Sequence, residues 1–270
     1  MKDQVVIITG ASSGIGQALV HEYAKRGAKI VMAARNLSKM EETKALLIKK
    51  SVRVIAVKTD VSIEKDCENL IATAVEEFGR IDVLINNAGI SMRALFKDLD
   101  LKVMKKLMDV NFWGTVYCSK YGLPYLLKTK GSLVGVISIA GYIGLPARSG
   151  YSASKFAIRG FLDTIRVENL RTGLHVLVAA PGFTASNIRK VALTEDGTVQ
   201  GDSPRAESKM MSAEKVAQKI IYSIDKRKSE LILTFVEGKF SVFLKKFFPR
   251  LLEKLTYNHM AKEPESPFKF

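Results

Sequence analysis

A doubly wound α/β sheet of about seven parallel strands, with helices on both faces and an amphipathic helical extension at the carboxyl end, is the fold this chain predicts. Three observations predict it. Short apolar runs alternate with helical patterns along most of the chain. Runs such as Ile81-Asp82-Val83-Leu84-Ile85 and Leu174-His175-Val176-Leu177-Val178 are nearly continuous, as strands covered on both faces are. The first run, Gln4 to Thr9, passes through Gly10-Ala11-Ser12-Ser13-Gly14-Ile15-Gly16 directly into a helical pattern.

In order, strands are predicted over 4–9, 28–34, 52–58, 81–86, 132–138, 174–180 and 230–235. Helices are predicted over 14–27, 37–50, 63–79, 100–129, 151–172 and 213–227. At 270 residues the chain has room for one three-layer domain with a sizeable core. No repeat or linker divides it, so residues 1–236 are expected to form the catalytic domain and 237–270 an extension without a core of its own.

In the first strand–turn–helix unit, Gly10 allows a tight turn. Gly14 and Gly16 let a pyrophosphate approach the backbone and the helix amino end. The spacing is GxxxGxG rather than GxGxxG. Further along, Tyr151 and Lys155 stand four residues apart on a predicted helix, on one face. A nearby cation favours phenolate, which prepares the tyrosine as a proton donor or acceptor near neutral pH.

With these motifs in place the chain resembles the short-chain dehydrogenase/reductase family, in its compact branch, over about Lys2 to Asp225. The family's motifs come in its order: Thr9 to Gly16, Asp60-Val61, Asn86-Asn87-Ala88-Gly89, Asn111, Ser138, Tyr151 to Lys155 and Pro181-Gly182. The resemblance implies a Rossmann-type domain binding a nicotinamide dinucleotide and a catalytic set of Asn111, Ser138, Tyr151 and Lys155. In that set Tyr151 exchanges a proton with the carbonyl or alcohol oxygen, and Ser138 donates a hydrogen bond where negative charge develops. Lys155 lowers the Tyr151 pKa and holds the nicotinamide ribose, and Asn111 supports a water-linked relay to the lysine. No metal is called for.

Cofactor contacts are expected from Gly10, Ser12, Ser13, Gly14, Ile15 and Gly16 at the turn. Arg35 and Asn36 follow strand two, Asp60 and Val61 lie against adenine, and Asn86, Asn87, Ala88 and Gly89 run along the cofactor, joined by Tyr151 and Lys155. Pro181, Gly182, Thr184 and Ser186 grip the carboxamide end. Ala34 stands where an NAD enzyme usually places an acid, and Arg35 follows it. An arginine forks onto a 2′-phosphate that an acid would repel, so NADP(H) is expected over NAD(H).

The substrate pocket is expected from Ile90 to Phe96, Ala140 to Gly150 and Phe183 to Ser212, whose apolar members suggest a lipophilic ketone or secondary alcohol. Small polar or acyl-carrier-bound carbonyls are the alternative substrates, and a non-enzymatic dinucleotide sensor is the alternative class. Beyond the last strand, Phe240, Phe243, Leu244, Phe247, Phe248, Leu251, Leu252 and Leu255 trace one helical stripe, with Lys239, Lys245, Lys246, Arg250 and Lys254 around it. Pro249 is placed to kink the helix or to begin its second half. Such a segment, residues 238–257, suits an anionic membrane surface, a second subunit in a homodimer or homotetramer, or the chain's own domain. The tail is similar to that of membrane-associated lipid and steroid reductases.

A net charge of +15 favours acidic partners, but the aromatics gather on the terminal stripe rather than in a basic groove, which argues against nucleic acid. Cys67 and Cys118 form no CxxC, and His21, His175 and His259 have no metal-ligand spacing. Without a signal-peptide pattern or a run of about 18 uncharged apolar residues, a cytoplasmic protein, peripheral on the membrane at most, is expected. Lys262 to Phe270, with Pro264 and Pro267, is expected to be a loose tail.

Overall fold

The computed structural model describes residues 2–185, 187–201, 210–262, 266 and 268. Seven strands form one parallel sheet: β1 (Val5–Thr9), β2 (Lys29–Ala34), β3 (Val54–Lys58), β4 (Val83–Asn86), β5 (Ser132–Val136), β6 (His175–Ala180) and β7 (Glu230–Ile232). Their order is β3-β2-β1-β4-β5-β6-β7, so the winding reverses between β1 and β4. That reversal opens a crevice at the carboxyl ends of the strands, where open α/β sheets bind ligands.

Among the described residues seven α-helices precede the tail: α1 (Gly14–Ala24), α2 (Leu37–Ile48), α3 (Glu64–Phe78), α4 (Leu101–Leu107), α5 (Gly114–Thr129), α6 (Ser149–Glu168) and α7 (Ala213–Asp225). Strand side chains alternate between two cores. Val6, Ile8, Ile30, Met32 and Ile85 pack with Leu19, Met40 and Ile220 under α1, α2 and α7. Ile7, Val31, Leu84 and Leu133 pack with Leu70, Leu126 and Leu162 under α3, α5 and α6. Because both faces of the central strands are buried, those strands are largely apolar, and each fully buried branched side chain contributes about 1.5–3 kcal/mol.

The predicted helix over 100–129 is continuous in the chain but not uniform. Between α4 and α5, Met108–Trp113 forms a wider π-type turn that contains Asn111. On α6, the buried positions Tyr151, Ser154, Lys155, Ile158 and Leu162 recur at helical spacing. Gly135 on β5 lets α6 approach closely, since a Cβ there would stand 2.3 Å from Leu162 Cδ1. That contact sets the height of α6, and so of Tyr151, over the end of β5.

Glu22 ties α1 to its surroundings. Its buried carboxylate pairs with Arg26 at 2.6 Å and Lys25 at 2.8 Å, and Gln218 of α7 donates to it at 3.4 Å. These donors, Arg26 first, hold its pKa down at about 2 against the opposing effect of burial.

Past β7 the chain turns at Thr234, whose φ of 66° and ψ of 150° are unusual for a side-chain-bearing residue. A π-type turn over Phe235–Phe240 follows, then α8 (Ser241–Phe247) and α9 (Pro249–Ala261). Pro249 stands at the start of α9, where its missing N–H costs nothing, and Phe248 breaks the two helices apart. The stripe splits accordingly. Leu244 and Leu252 are buried in the core of the α6 face, whereas Phe243, Phe247, Phe248 and Leu251 are exposed. Among the described residues no helix is long and apolar enough to cross a membrane.

Candidate active site

The turn after β1 is held from two sides. Thr9 Oγ1 accepts hydrogen bonds from the N–H groups of Asn87 and Ala88, both at 3.0 Å, and Asn87 Nδ2 donates to Thr9 O at 2.9 Å. These bonds fix the ends of β1 and β4 together at the crevice. Gly10 has φ +66°, and a Cβ there would lie 2.9 Å from Ala88 Cα; at Gly16 a Cβ would lie 2.1 Å from Gly10 O. No side chain but hydrogen fits at either position.

Helix α1 then begins at Gly14, with Ser13 extended before it and making no side-chain cap, and with no acidic residue in the first turn. Its first N–H groups are thus left for an anion, and the helix dipole favours one. This cradle fits a dinucleotide pyrophosphate. Ser12, Ser13 and Ile15 belong to the same turn, and Ile15, Asn87 and Gly89 line the cavity beside it.

At the far end of the crevice, Arg35 is exposed directly after β2. Asn36 accepts a hydrogen bond from Lys39 N at 3.0 Å and so caps α2. Asp60 Oδ1 accepts from Ser62 N and Oγ, at 3.1 and 2.7 Å, which shapes the turn after β3. Val61 packs inward, where a Cβ on Gly114 would meet its Cγ2 at 2.8 Å. Asn86 is buried and donates to Ser119 Oγ at 3.2 Å.

A cavity of about 510 Å³ runs from the glycine turn along the ends of β4, β5 and β6, and Ser138, Tyr151 and Lys155 all line it. Ser138 follows β5 and its hydroxyl caps a short turn by accepting from Ala140 N at 3.2 Å. Burial pushes the Tyr151 phenol pKa up; a side-chain hydrogen bond with Ser138 and the charges of Arg148 and Arg189 oppose that rise. Lys155 Nζ donates to Val136 O at 3.0 Å and stands 5.8 Å from the Tyr151 ring centre. Burial alone draws the Lys155 pKa down to about 8.

Asn111 is fully buried beside them. Its Oδ1 accepts from Ile90 N at 2.8 Å, and its Nδ2 donates to Ile90 O at 3.0 Å and Ser154 Oγ at 2.9 Å. Its main-chain oxygen accepts from Thr115 Oγ1 at 2.8 Å. The side chain therefore links the segment after β4 to α6. Pro181, Gly182 and Thr184 follow β6 and line the cavity; Ser186 lies outside the described residues.

Several lining residues were not singled out from the sequence. Arg148 precedes α6 and donates through Nη1 to Met92 O at 2.7 Å and Ser91 Oγ at 3.1 Å. Arg189, 6 % exposed, donates to Thr184 O at 2.9 Å. The tail closes the cavity with Phe240, Leu244, Leu252, Leu255 and Met260 among others. Ser154 sits inside the Tyr151–Lys155 run and Thr9 inside the glycine motif, so their positions were signalled. The two arginines lie in segments expected to form the pocket, Ala140 to Gly150 and Phe183 to Ser212, but only the apolar members of those segments were singled out.

The family model described as short chain dehydrogenase matches residues 4–196. Dehydrogenase/reductase SDR family member 7B of Mus musculus is 34% identical over 271 residues, covering 98% of this chain and 84% of that protein. 11-beta-hydroxysteroid dehydrogenase-like 2 of Arabidopsis thaliana is 41% identical over 189 residues, covering 68% of this chain and 60% of that protein. Two solved structures share the fold, each with a TM-score of 0.77 at 24% identity. One is an alcohol dehydrogenase from the archaeon Thermococcus sibiricus complexed with 5-hydroxy-NADP, covering 86% of this chain and 96% of that one. The other is a short chain dehydrogenase/reductase from Burkholderia phymatum in complex with NAD, covering 85% and 88%. The family match over most of the sheet, together with the dinucleotide cradle, shows that the chain belongs to the short-chain dehydrogenase/reductase family of oxidoreductases, whose fold binds a nicotinamide dinucleotide.

Proposed function

We propose that the chain is an NADP(H)-dependent reductase or dehydrogenase of a lipophilic ketone or secondary alcohol. The observation that carries this reading is the cavity itself, where Ser138, Tyr151 and Lys155 lie on one wall and the apolar side chains of the tail on another. Lipid- or steroid-like substrates suit such walls better than small polar or acyl-carrier-bound carbonyls. When bound, the dinucleotide supplies or takes the hydride. Gly10, Ser12, Ser13, Gly14, Ile15 and Gly16 would hold its pyrophosphate, Arg35 and Asn36 the adenosine 2′-phosphate, Asp60 and Val61 the adenine side, and Asn87, Ala88 and Gly89 the middle. Pro181, Gly182, Thr184 and Ser186 would hold its carboxamide end.

In this reading Tyr151 gives its phenolic proton to the carbonyl oxygen in reduction and takes it back in oxidation. Ser138, on the same cavity wall as Tyr151, steadies the oxygen as it gains charge. Lys155, with its pKa drawn down to about 8, changes charge easily near neutral pH and can return a proton to Tyr151. Asn111 keeps the segment after β4 in register with α6 and supports the relay to Lys155. Residues 1–236 form the catalytic domain and 237–270 its extension, whose residues up to Met260 contribute to the cavity wall. The protein is cytoplasmic and self-associates as a homodimer or homotetramer. The exposed aromatic face of the tail, with Lys239, Lys245, Lys246, Arg250 and Lys254 about it, rests on the cytoplasmic face of an anionic membrane.

The test is NADPH oxidation against a panel of ketones of rising lipophilicity, with Tyr151→Phe as control. Turnover that grows with chain length and vanishes in the variant is expected; no turnover on any ketone would favour a dinucleotide-sensing protein. Arg35→Ala should raise the NADPH Kd about tenfold and leave NADH little changed. Flotation with anionic liposomes should fall on deletion of the residues after Gly238.

A further inference from the structure

Thr234 carries two costs that glycine at the same turn would not. Its φ of 66° with ψ of 150° is a conformation populated almost only by glycine, and a β-branched side chain makes it harder to hold. Its hydroxyl is buried and meets no hydrogen-bond partner among the described residues. What the side chain does is visible in its surroundings. A Cβ on Gly182 would stand 2.7 Å from Thr234 Oγ1 and 3.0 Å from its Cγ2. A Cβ on Gly238 would stand 3.1 Å from the same Oγ1 and would run into Leu233 O. Gly182 belongs to the segment after β6, and Gly238 to the π-type turn that opens the tail. The Thr234 side chain is therefore a spacer, with the segment after β6 on one side and the root of the tail on the other.

The spacer is anchored at both ends. Leu233 N donates to Ala180 O at 3.0 Å, which ties it to the sheet, and Thr234 O accepts from Lys239 N at 3.3 Å, where the tail begins. Gly182 on one side and Val236, Glu237 and Phe240 on the other line the same cavity. Resting on the reading of the preceding section, we infer that Thr234 is a positioning residue that couples the two ligands of that cavity. Its side chain, wedged between Gly182 and Gly238, carries order from the segment that would hold the carboxamide end of the dinucleotide to the wall that would hold the apolar substrate. With the dinucleotide bound, Gly182 is fixed, and so is the spacer against it. The tail then loses freedom before the substrate arrives, and the substrate binds at a lower ordering cost. The coupling is reciprocal, so an apolar ligand tightens the dinucleotide by the same factor. Shape does this, not the unpartnered hydroxyl, and valine, with nearly the same outline, serves in its place.

Calorimetry and hydrogen exchange on the full chain test this. Dodecan-2-ol is titrated into wild type, Thr234→Gly and Thr234→Val, each with and without saturating NADPH, a mixture that contains no hydride acceptor. NADPH should tighten the alcohol about five- to twentyfold in wild type and in Thr234→Val, and about twofold or less in Thr234→Gly. Exchange of the α8 and α9 amides should slow with NADPH in the first two proteins and stay as it was in the third. Thr234→Gly, relieved of its strain, should melt at or above the wild-type temperature, which separates lost coupling from lost fold. Coupling that survives in Thr234→Gly, or is lost in Thr234→Val, would overturn the role of Thr234 and leave the reductase reading standing. Coupling that follows the expected pattern while no ketone turns over would uphold that role and sink only the reductase reading.

Discussion

Replacing Lys155 with methionine should remove activity and make the protein more stable. Lys155 is 3 % exposed, and burial lowers its pKa from 10.5 to about 8. Below pH 8 the lysine is charged in both folded and unfolded chains, and the folded chain bears the full desolvation cost. The size of the pKa drop sets that cost at about 3 kcal/mol. As pH rises from 8 towards 10.5 the folded chain has shed the proton and the unfolded chain still binds it, so stability climbs with pH. Above both values the cost is gone. Methionine has nearly the same length and no charge, but it gives up the bond to Val136 O, worth about 1.5 kcal/mol. The net gain for Lys155→Met at pH 7 is then about 1–2 kcal/mol, a rise in Tm of roughly 2–8 °C. Turnover should fall by about a hundredfold or more. Thermal unfolding of both proteins at about pH 7 and pH 9.5 checks this, because the gap must narrow at the higher pH. A variant that melts at or below the wild-type temperature at pH 7, or a gap indifferent to pH, would refute the reasoning.

Three other outcomes are expected. Gly16→Ala places a Cβ 2.1 Å from Gly10 O, so α1 must shift; stability should drop by about 1–3 kcal/mol in urea unfolding, and dinucleotide affinity should drop with it. Glu22→Gln should destabilise the chain at neutral pH, where the carboxylate held at about 2 is ionised. The difference from wild type should fade as pH falls from 4.5 through 2, read from acid unfolding followed by circular dichroism. Leu252→Ala should raise KM for long-chain ketones while the NADPH Kd, measured by fluorescence, stays as it was, since Leu252 lines the cavity from the tail and lies outside the glycine cradle.

The sheet was legible because its strands are buried on both faces and contain little else but apolar residues. All seven predicted strands are present, with ends trimmed by up to three residues where the chain leaves the sheet. The glycine turn was legible because Gly10 and Gly16 admit no side chain. The π-type turn at Asn111 was not, since shifting a few backbone hydrogen bonds leaves the side-chain pattern almost unchanged. Periodicity revealed the apolar stripe of the tail but not its partner. Leu244 and Leu252 face the chain's own cavity while Phe243 and Leu251 face outward, because the break at Phe248 turns the two helices separately. Tyr151 and Lys155 share a helix face as their spacing requires, yet the ammonium is bonded to the Val136 carbonyl. Arg148 and Arg189 lie 41 positions apart and come to line one cavity only through the tertiary fold.

The turn at Thr234 has a wider consequence. Before it lie the glycine cradle, Asn111, Ser138, Tyr151 and Lys155; after it lies the wall supplied by α8 and α9. On the proposed reading the proton chemistry lies before the bend, and the cavity wall is shared between Ile143, Leu145 and Ile188 before it and the two tail helices after it. A mutation in the later stretch can remodel what enters without touching how a proton moves. Inheritance of the chemistry and divergence of the diet can proceed independently in one gene, and exchange of the last thirty or so residues between relatives is the natural way to graft one appetite onto another.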